Sequence, residues 1–189
     1  MTQAAALSPE YVLLGFLNQQ PAHGYDLHER MEAELGQIWH ISLSQTYNIL
    51  NRLETQDYIT GALQEQEKLP ARKRFRLTAA GRRRFEDWLS TATEPSTRAI
   101  RVEFITRLYF ACAISPAAAR TVIDQQIAST QEGLAHLQSL LGELPPDQIF
   151  NRLGLEFRVQ QLAMVIAWLN TSQTKLGLDP SHQEPETMP

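Results

Sequence analysis

The stretch from Pro9 to Leu89 constrains the fold most, because its helix and strand signals allow one order of elements. Ser8 and Pro9 form an N-cap and first-turn pair ahead of "YVLLGFL", which is apolar on most sides. "QQPAHGY" breaks that helix, and "GYDLHERMEAEL" starts a second, with Tyr25, Leu27, Met31 and Leu35 as inner positions and acids outside. Ser42 caps a third helix over 43–56. "YITGALQEQ" reads as a strand, "EKLPA" as a turn and "RKRFRLT" as the return strand. Thr78 caps a fourth helix that runs through Leu89. Helix, helix, helix, hairpin, helix is the order of a winged helix-turn-helix. A trihelical core presents one helix outward, and the hairpin serves as a second contact arm.

At about 100° per residue, Leu43, Thr46, Leu50 and Leu53 fall on one side of the third helix. Ser44, Gln45, Asn48, Asn51, Arg52 and Thr55 fall on the other, with Tyr47 at the edge. That outer side carries short hydrogen-bonding groups where a solvated helix usually carries Glu and Lys. Amides and hydroxyls suit base edges in a major groove, and Arg52 suits guanine or a phosphate. A polar surface helix with no partner is the bland alternative, and the basic hairpin that follows weighs against it.

That hairpin opens "LPARKRFRLTAAGRRRF", which holds seven Lys or Arg and no acid in a chain of net charge -4. Strand alternation puts Arg72, Arg74 and Arg76 on one face and Lys73, Phe75 and Leu77 on the other. No acid lies between Lys68 and Glu86 to neutralise the arginines, and their forks match phosphate geometry. Arg82 and Arg83 are different, because Glu86 and Asp87 lie one turn on. For these two, a solvated ion pair is as good a reading as a contact with DNA.

The joint pattern resembles the PadR family of transcriptional regulators. It is carried by "LLGFLNQQPAHGYDL", "ISLSQTYNILNRLETQDYI" and "RKRFRLTAAGRRRFEDWL", over about residues 10–90. The resemblance implies a winged-helix dimer, usually a repressor released by a small effector. By position it implies that Ser44, Tyr47 and their neighbours touch the operator and that Arg72 to Arg74 belong to the wing. Two residues depart from the family pattern. Asn48 stands where many members have proline, and Asp57 where glycine usually ends the third helix.

"TATEPSTRA", residues 91–99, is the best boundary, since apolar periodicity stops there. Beyond it, 98–114, 116–142 and 146–172 read as three helices broken at Ser115-Pro116 and Pro145-Pro146. Ile123, Ile127, Thr130, Leu134, Leu137 and Leu141 form a heptad seam. The last helix is apolar on two sides. Leu155, Val159, Leu162, Ile166 and Leu169 make one stripe, and Phe157, Met164 and Trp168 part of another. Two stripes suggest a dimer formed through Ile123, Ile127, Leu134, Leu162 and Ile166, against a self-contained bundle. The length of this half resembles PadR members with the larger C-terminal domain. The tail "GLDPSHQEPETMP" is expected to be disordered.

Other chemistry finds little support. The five histidines His23, His28, His40, His136 and His182 show no zinc spacing, and Cys112 is alone and expected to be buried. No nucleophile elbow or phosphate loop occurs. No membrane span or signal peptide is legible, so the expected location is cytoplasmic. Trp39, Phe104, Tyr109 and Trp168 could line an effector pocket, although aromatics at helical spacing more often form core.

The expectation is therefore a mainly α chain with a small β-hairpin wing and no catalytic residue, cofactor or metal. Residues 1–92 form a winged helix-turn-helix, 98–172 a helical dimerisation and effector domain, and 173–189 a tail. Ser42, Ser44, Gln45, Tyr47, Asn48, Asn51 and Arg52 on the recognition helix, with Arg72, Lys73, Arg74 and Arg76 on the wing, would bind a near-palindromic double-stranded operator as a homodimer. A small aromatic effector would act on the second domain. The alternative is a non-catalytic winged-helix module that binds protein instead of DNA.

Overall fold

The computed structural model describes residues 8–66 and 69–178. The chain divides after Thr91 into two compact units.

The first unit orders α1 (Glu10–Gln19), β1 (Ala22–His23), α2 (Gly24–Leu35), α3 (Leu43–Thr55), β2 (Ile59–Gln66), β3 (Leu69–Leu77) and α4 (Ala79–Ser90). This is a winged helix-turn-helix. Helix α1 is the central rod, buried along Val12 to Leu17, as its all-round apolar sequence requires. Leu27, Met31 and Leu35 close on it from α2, Leu50 and Leu53 from α3, and Phe85 and Trp88 from α4. Trp88 stacks on Tyr11 with ring centroids 4.7 Å apart. Tyr25 does not join this core; it stands exposed on the first turn of α2 and engages Glu29.

The sheet is antiparallel in the order β1-β3-β2. Strand β1 was not legible, because two residues are too few to show a period of two. Ala22 pairs with Phe75 and His23 with Arg74, and the His23 Nδ1 lies 3.2 Å from the Lys73 carbonyl. Pro9, not Ser8, occupies the N-cap of α1.

Two close approaches fix the helices. A Cβ on Gly24 would lie 2.7 Å from the Tyr47 ring, where the start of α2 crosses α3. The chain turns out of α3 at Asp57, two residues past the helix, where φ is 59°. The Tyr58 amide donates to the Leu53 carbonyl and the Asp57 amide to the Glu54 carbonyl. That is the paired C-terminal cap that usually places glycine at this position.

The second unit holds α5 (Thr97–Ala99), one wide π turn (Ile100–Phe104), α6 (Ile105–Ile114), α7 (Pro116–Glu143) and α8 (Ile149–Lys175). The first three run on as one helix. Ser115 caps α7 by accepting the Ala118 amide at 3.1 Å. The chain enters this unit through a buried polar cluster. Gln126 donates to the Thr93 carbonyl and accepts its amide, at 2.9 and 2.8 Å. Arg107 donates to the Thr93 hydroxyl at 3.0 Å and to Glu103 at 2.5 Å.

Several expectations change here. Ile123 and Leu162 are buried within the chain itself, and Ile127, Leu134 and Ile166 are half-buried. The heptad seam therefore closes on the chain's own helices, since α7 packs along α8 and α6. A heptad specifies a helical partner and leaves open which chain supplies it. Cys112 is exposed, not buried. Helix α8 starts at Ile149 and continues to Lys175, and Leu178 is buried after Gly177 turns at φ 65°. The tail expected from 173 is thus structured through 178, and 179–189 lie outside the described residues. No helix among the described residues is long and apolar enough to cross a membrane.

Candidate nucleic-acid interface

Helix α3 begins at a complete capping box. The Ser42 hydroxyl accepts the Gln45 amide at 3.3 Å, and the Gln45 side-chain oxygen accepts the Ser42 amide at 2.8 Å. Reciprocal satisfaction of two helix-end donors fixes the start of the helix. It also engages the acceptor of Gln45, which leaves that side chain only its Nε2 donors for a partner. Ser44, Tyr47, Asn48 and Asn51 are exposed, and Thr46, Ile49, Leu50 and Leu53 are buried. The outer face is thus the uncharged hydrogen-bonding surface expected of it.

Arg52 is committed inward. Its Nη2 donates to Glu10 Oε2 at 2.9 Å, and half of the side chain, 52%, stays accessible. Glu10 is 6% exposed and also pairs with Arg84. Arg84 in turn lies over the Tyr58 ring at 4.5 Å. Arg82 donates to Asn18 at 2.7 Å. Neither Arg82 with Glu86 nor Arg83 with Asp87 forms an ion pair. The first turn of α4 docks on α1, so Arg82 and Arg84 take partners across that contact, while Arg83 is exposed. Arg82 and Arg84 thus serve the docking of α4 on α1.

The wing behaves differently. Register places Arg72 opposite Gln64, Arg74 opposite Ala62 and Arg76 opposite Thr60, and directly opposed residues share a face. All three arginines are exposed; Arg74 donates to the Pro21 carbonyl at 3.3 Å. Lys73 points to the other side of the strand and pairs with Glu54. Its Nζ lies 2.5 Å from Glu54 Oε2, and Glu54 Oε1 accepts the Gly61 amide at 3.1 Å. Glu54 therefore fixes the base of the wing to the last turns of α3.

A family model described as the transcriptional regulator PadR-like family matches residues 13–87. A negative transcriptional regulator, PadR of Bacillus subtilis (strain 168), is 30% identical over 129 residues, covering 68% of this chain and 70% of that protein. The chain belongs to the PadR family of transcriptional regulators.

A second model, described as the virulence activator alpha C-terminal family, matches residues 100–177. The crystal structure of Bacillus subtilis PadR in complex with operator DNA is 26% identical, covers 88% of this chain and 98% of its own, and gives a TM-score of 0.45. The structure of the same protein with p-coumaric acid is also 26% identical, covers 89% and 98%, and gives 0.40. The PadR family consists of regulators, not enzymes. Among the described residues no cluster of His, Cys, Asp or Glu could hold a metal ion.

This PadR-family chain carries aromatic residues in separate places. Trp39 lines a cavity of about 530 Å³ with His40 and Ser42. Phe104 meets Trp168 edge to face at 6.1 Å, and Tyr109 meets Phe110 at 5.0 Å. A more apolar cavity of about 340 Å³ lies in the second unit, lined by Ile100, Arg101, Ile105, Met164 and Trp168 among others. Of the four aromatics expected at an effector site, Trp168 alone borders this cavity. Phe104 is buried beside it as core. The signal missed was the π turn at 100–104, whose wider spacing supplies one wall and leaves no mark on apolar periodicity.

Proposed function

We propose that the chain is a homodimeric, sequence-specific DNA-binding repressor released by a small molecule. The observation that carries the DNA reading is the Glu54 link. It fixes an arginine-faced wing against the end of a helix whose outer side is uncharged and hydrogen-bonding. Ser44, Tyr47, Asn48 and Asn51 would read base edges, and Gln45 would do so through its Nε2 donors. Arg72, Arg74 and Arg76 would hold flanking phosphates. Arg52 would add a phosphate contact only by leaving or sharing Glu10. Repression is supported by the negative regulator at 30% identity.

Dimer formation is supported by the second stripe of α8. Phe150 is 88% exposed, Phe157 61% and Met164 62%, with Leu153 also exposed. Such a row is more than a lone helical unit ordinarily leaves to water. A second copy would cover it, in place of the seam residues now buried internally. The apolar cavity of the second unit would take a small aromatic compound.

The deciding experiment is selection of duplex DNA from a random-sequence library, followed by light scattering of the free protein. Enrichment of a near-palindromic site and a dimer mass are expected. No enriched sequence, together with weak salt-insensitive binding, would favour the protein-interaction module instead.

A further inference from the structure

We propose that His28 is a positioning residue for the first turn of α3, acting through the buried hydroxyl of Thr46. The inference rests on α3 being the recognition helix. His28 is buried on α2, and its Nδ1 lies 3.1 Å from Thr46 Oγ1. Thr46 is itself wholly buried, and its hydroxyl donates to the Ser42 carbonyl at 3.3 Å. A hydroxyl has one proton. With that proton committed to Ser42, the oxygen can only accept from His28. This arrangement requires the Nδ1–H form of His28.

The chain of contacts reaches the reading face in two steps. Ser42 is both the acceptor of the Thr46 hydroxyl and the N-cap of α3. Its capping box with Gln45 orients the turn that carries Ser44, Gln45 and Tyr47. A donor on α2 thus sets the rotation of Thr46, and Thr46 ties the N-cap carbonyl. The other ring nitrogen, Nε2, lies 3.6 Å from the largely exposed Glu32 carboxylate. Protonation of Nε2 leaves the Nδ1 donor in place, so the link to Thr46 survives both charge states. Only a shift of the proton from Nδ1 to Nε2 would break it.

The role separates from simple space filling, because it needs a donor at one ring position. His28→Asn keeps an N–H near the Nδ1 site, whereas His28→Gln places its amide nearer Nε2 and His28→Leu removes the donor. Thr46→Ser keeps the acceptor and Thr46→Val removes it. The test uses the full-length protein and the duplex that the wild type enriches from a random library. Binding to that duplex is compared with binding to a scrambled duplex. His28→Leu and Thr46→Val should lose roughly three- to ten-fold of the discrimination, the size of one buried hydrogen bond. His28→Asn and Thr46→Ser should recover most of it.

Nitrogen-15 spectra of the histidines, taken well above the ordinary imidazole value of about 6.5, should show His28 protonated at Nδ1. An Nε2–H ring there, or a His28→Leu variant that discriminates as well as wild type, would overturn the proposal. If the wild type enriches no duplex, the DNA reading fails. The ring spectrum then still decides whether His28 donates to Thr46.

Discussion

Arg52 and Glu10 are joined across 2.9 Å, from the last turns of α3 to the first residue of α1. A residue expected to contact guanine or a phosphate is thus also the brace of the helix that carries it. Glu10 holds Arg84 on its other oxygen, so one buried carboxylate ties α1, α3 and α4. Removing either end has unequal consequences. Glu10→Ala should cost about 2–3 kcal/mol in urea unfolding, because it strands the partly buried Arg84. Arg52→Ala should cost under about 1 kcal/mol, since that side chain is half in water. Equal losses would show that Arg84 does not depend on Glu10.

Two neighbours on β3 should separate in function. Arg74→Ala should weaken binding to all DNA sequences alike and lower the slope of log affinity against log salt by about 1. Lys73→Ala should leave that slope nearly unchanged, because Lys73 is paired with Glu54. It should instead loosen the wing, seen as faster amide exchange at Gly61. Gel shifts at several salt concentrations and hydrogen exchange check the two outcomes.

Dimer mass should respond to the exposed stripe and not to the buried seam. Phe157→Glu should yield a folded monomer in light scattering. Ile123→Ala should keep the dimer mass and lower stability by about 2–4 kcal/mol, as expected for a buried aliphatic truncated to Ala. A dimer that survives Phe157→Glu together with Phe150→Glu would move the interface elsewhere.

Asp57 offers a backbone test. Its φ of 59° lies where a side chain is strained. Asp57→Gly should stabilise by on the order of 0.5 kcal/mol, the relief of strain exceeding the added freedom of the unfolded chain. Asp57→Val should destabilise by about 1–2 kcal/mol, because a β-branched residue tolerates this region worst. Thermal unfolding of the two variants gives the sign directly.

Much of the first unit follows from local rules. The all-round apolar run from Val12 to Leu17 had to be the central helix. Ser42 and Thr78 had to be caps, and alternation along Arg72 to Leu77 had to divide that strand into two faces. These are short-range features, set by the period of a helix or strand and by the chemistry of a helix end. The sequence by itself therefore determined the order of the helices and the hairpin, the exposed face of α3 and the arginine face of β3.

Tertiary structure decided who each charged or apolar group meets. It turned Arg52 and Arg84 toward Glu10, and Lys73 toward Glu54. It closed the heptad of α7 on α8 and left Phe150 and Phe157 outside, and it opened a cavity beside a π turn. Partner choice depends on residues distant in the chain, as Glu10 and Arg84 are. Periodicity says which side of an element is apolar or charged; only the packed fold says what stands opposite.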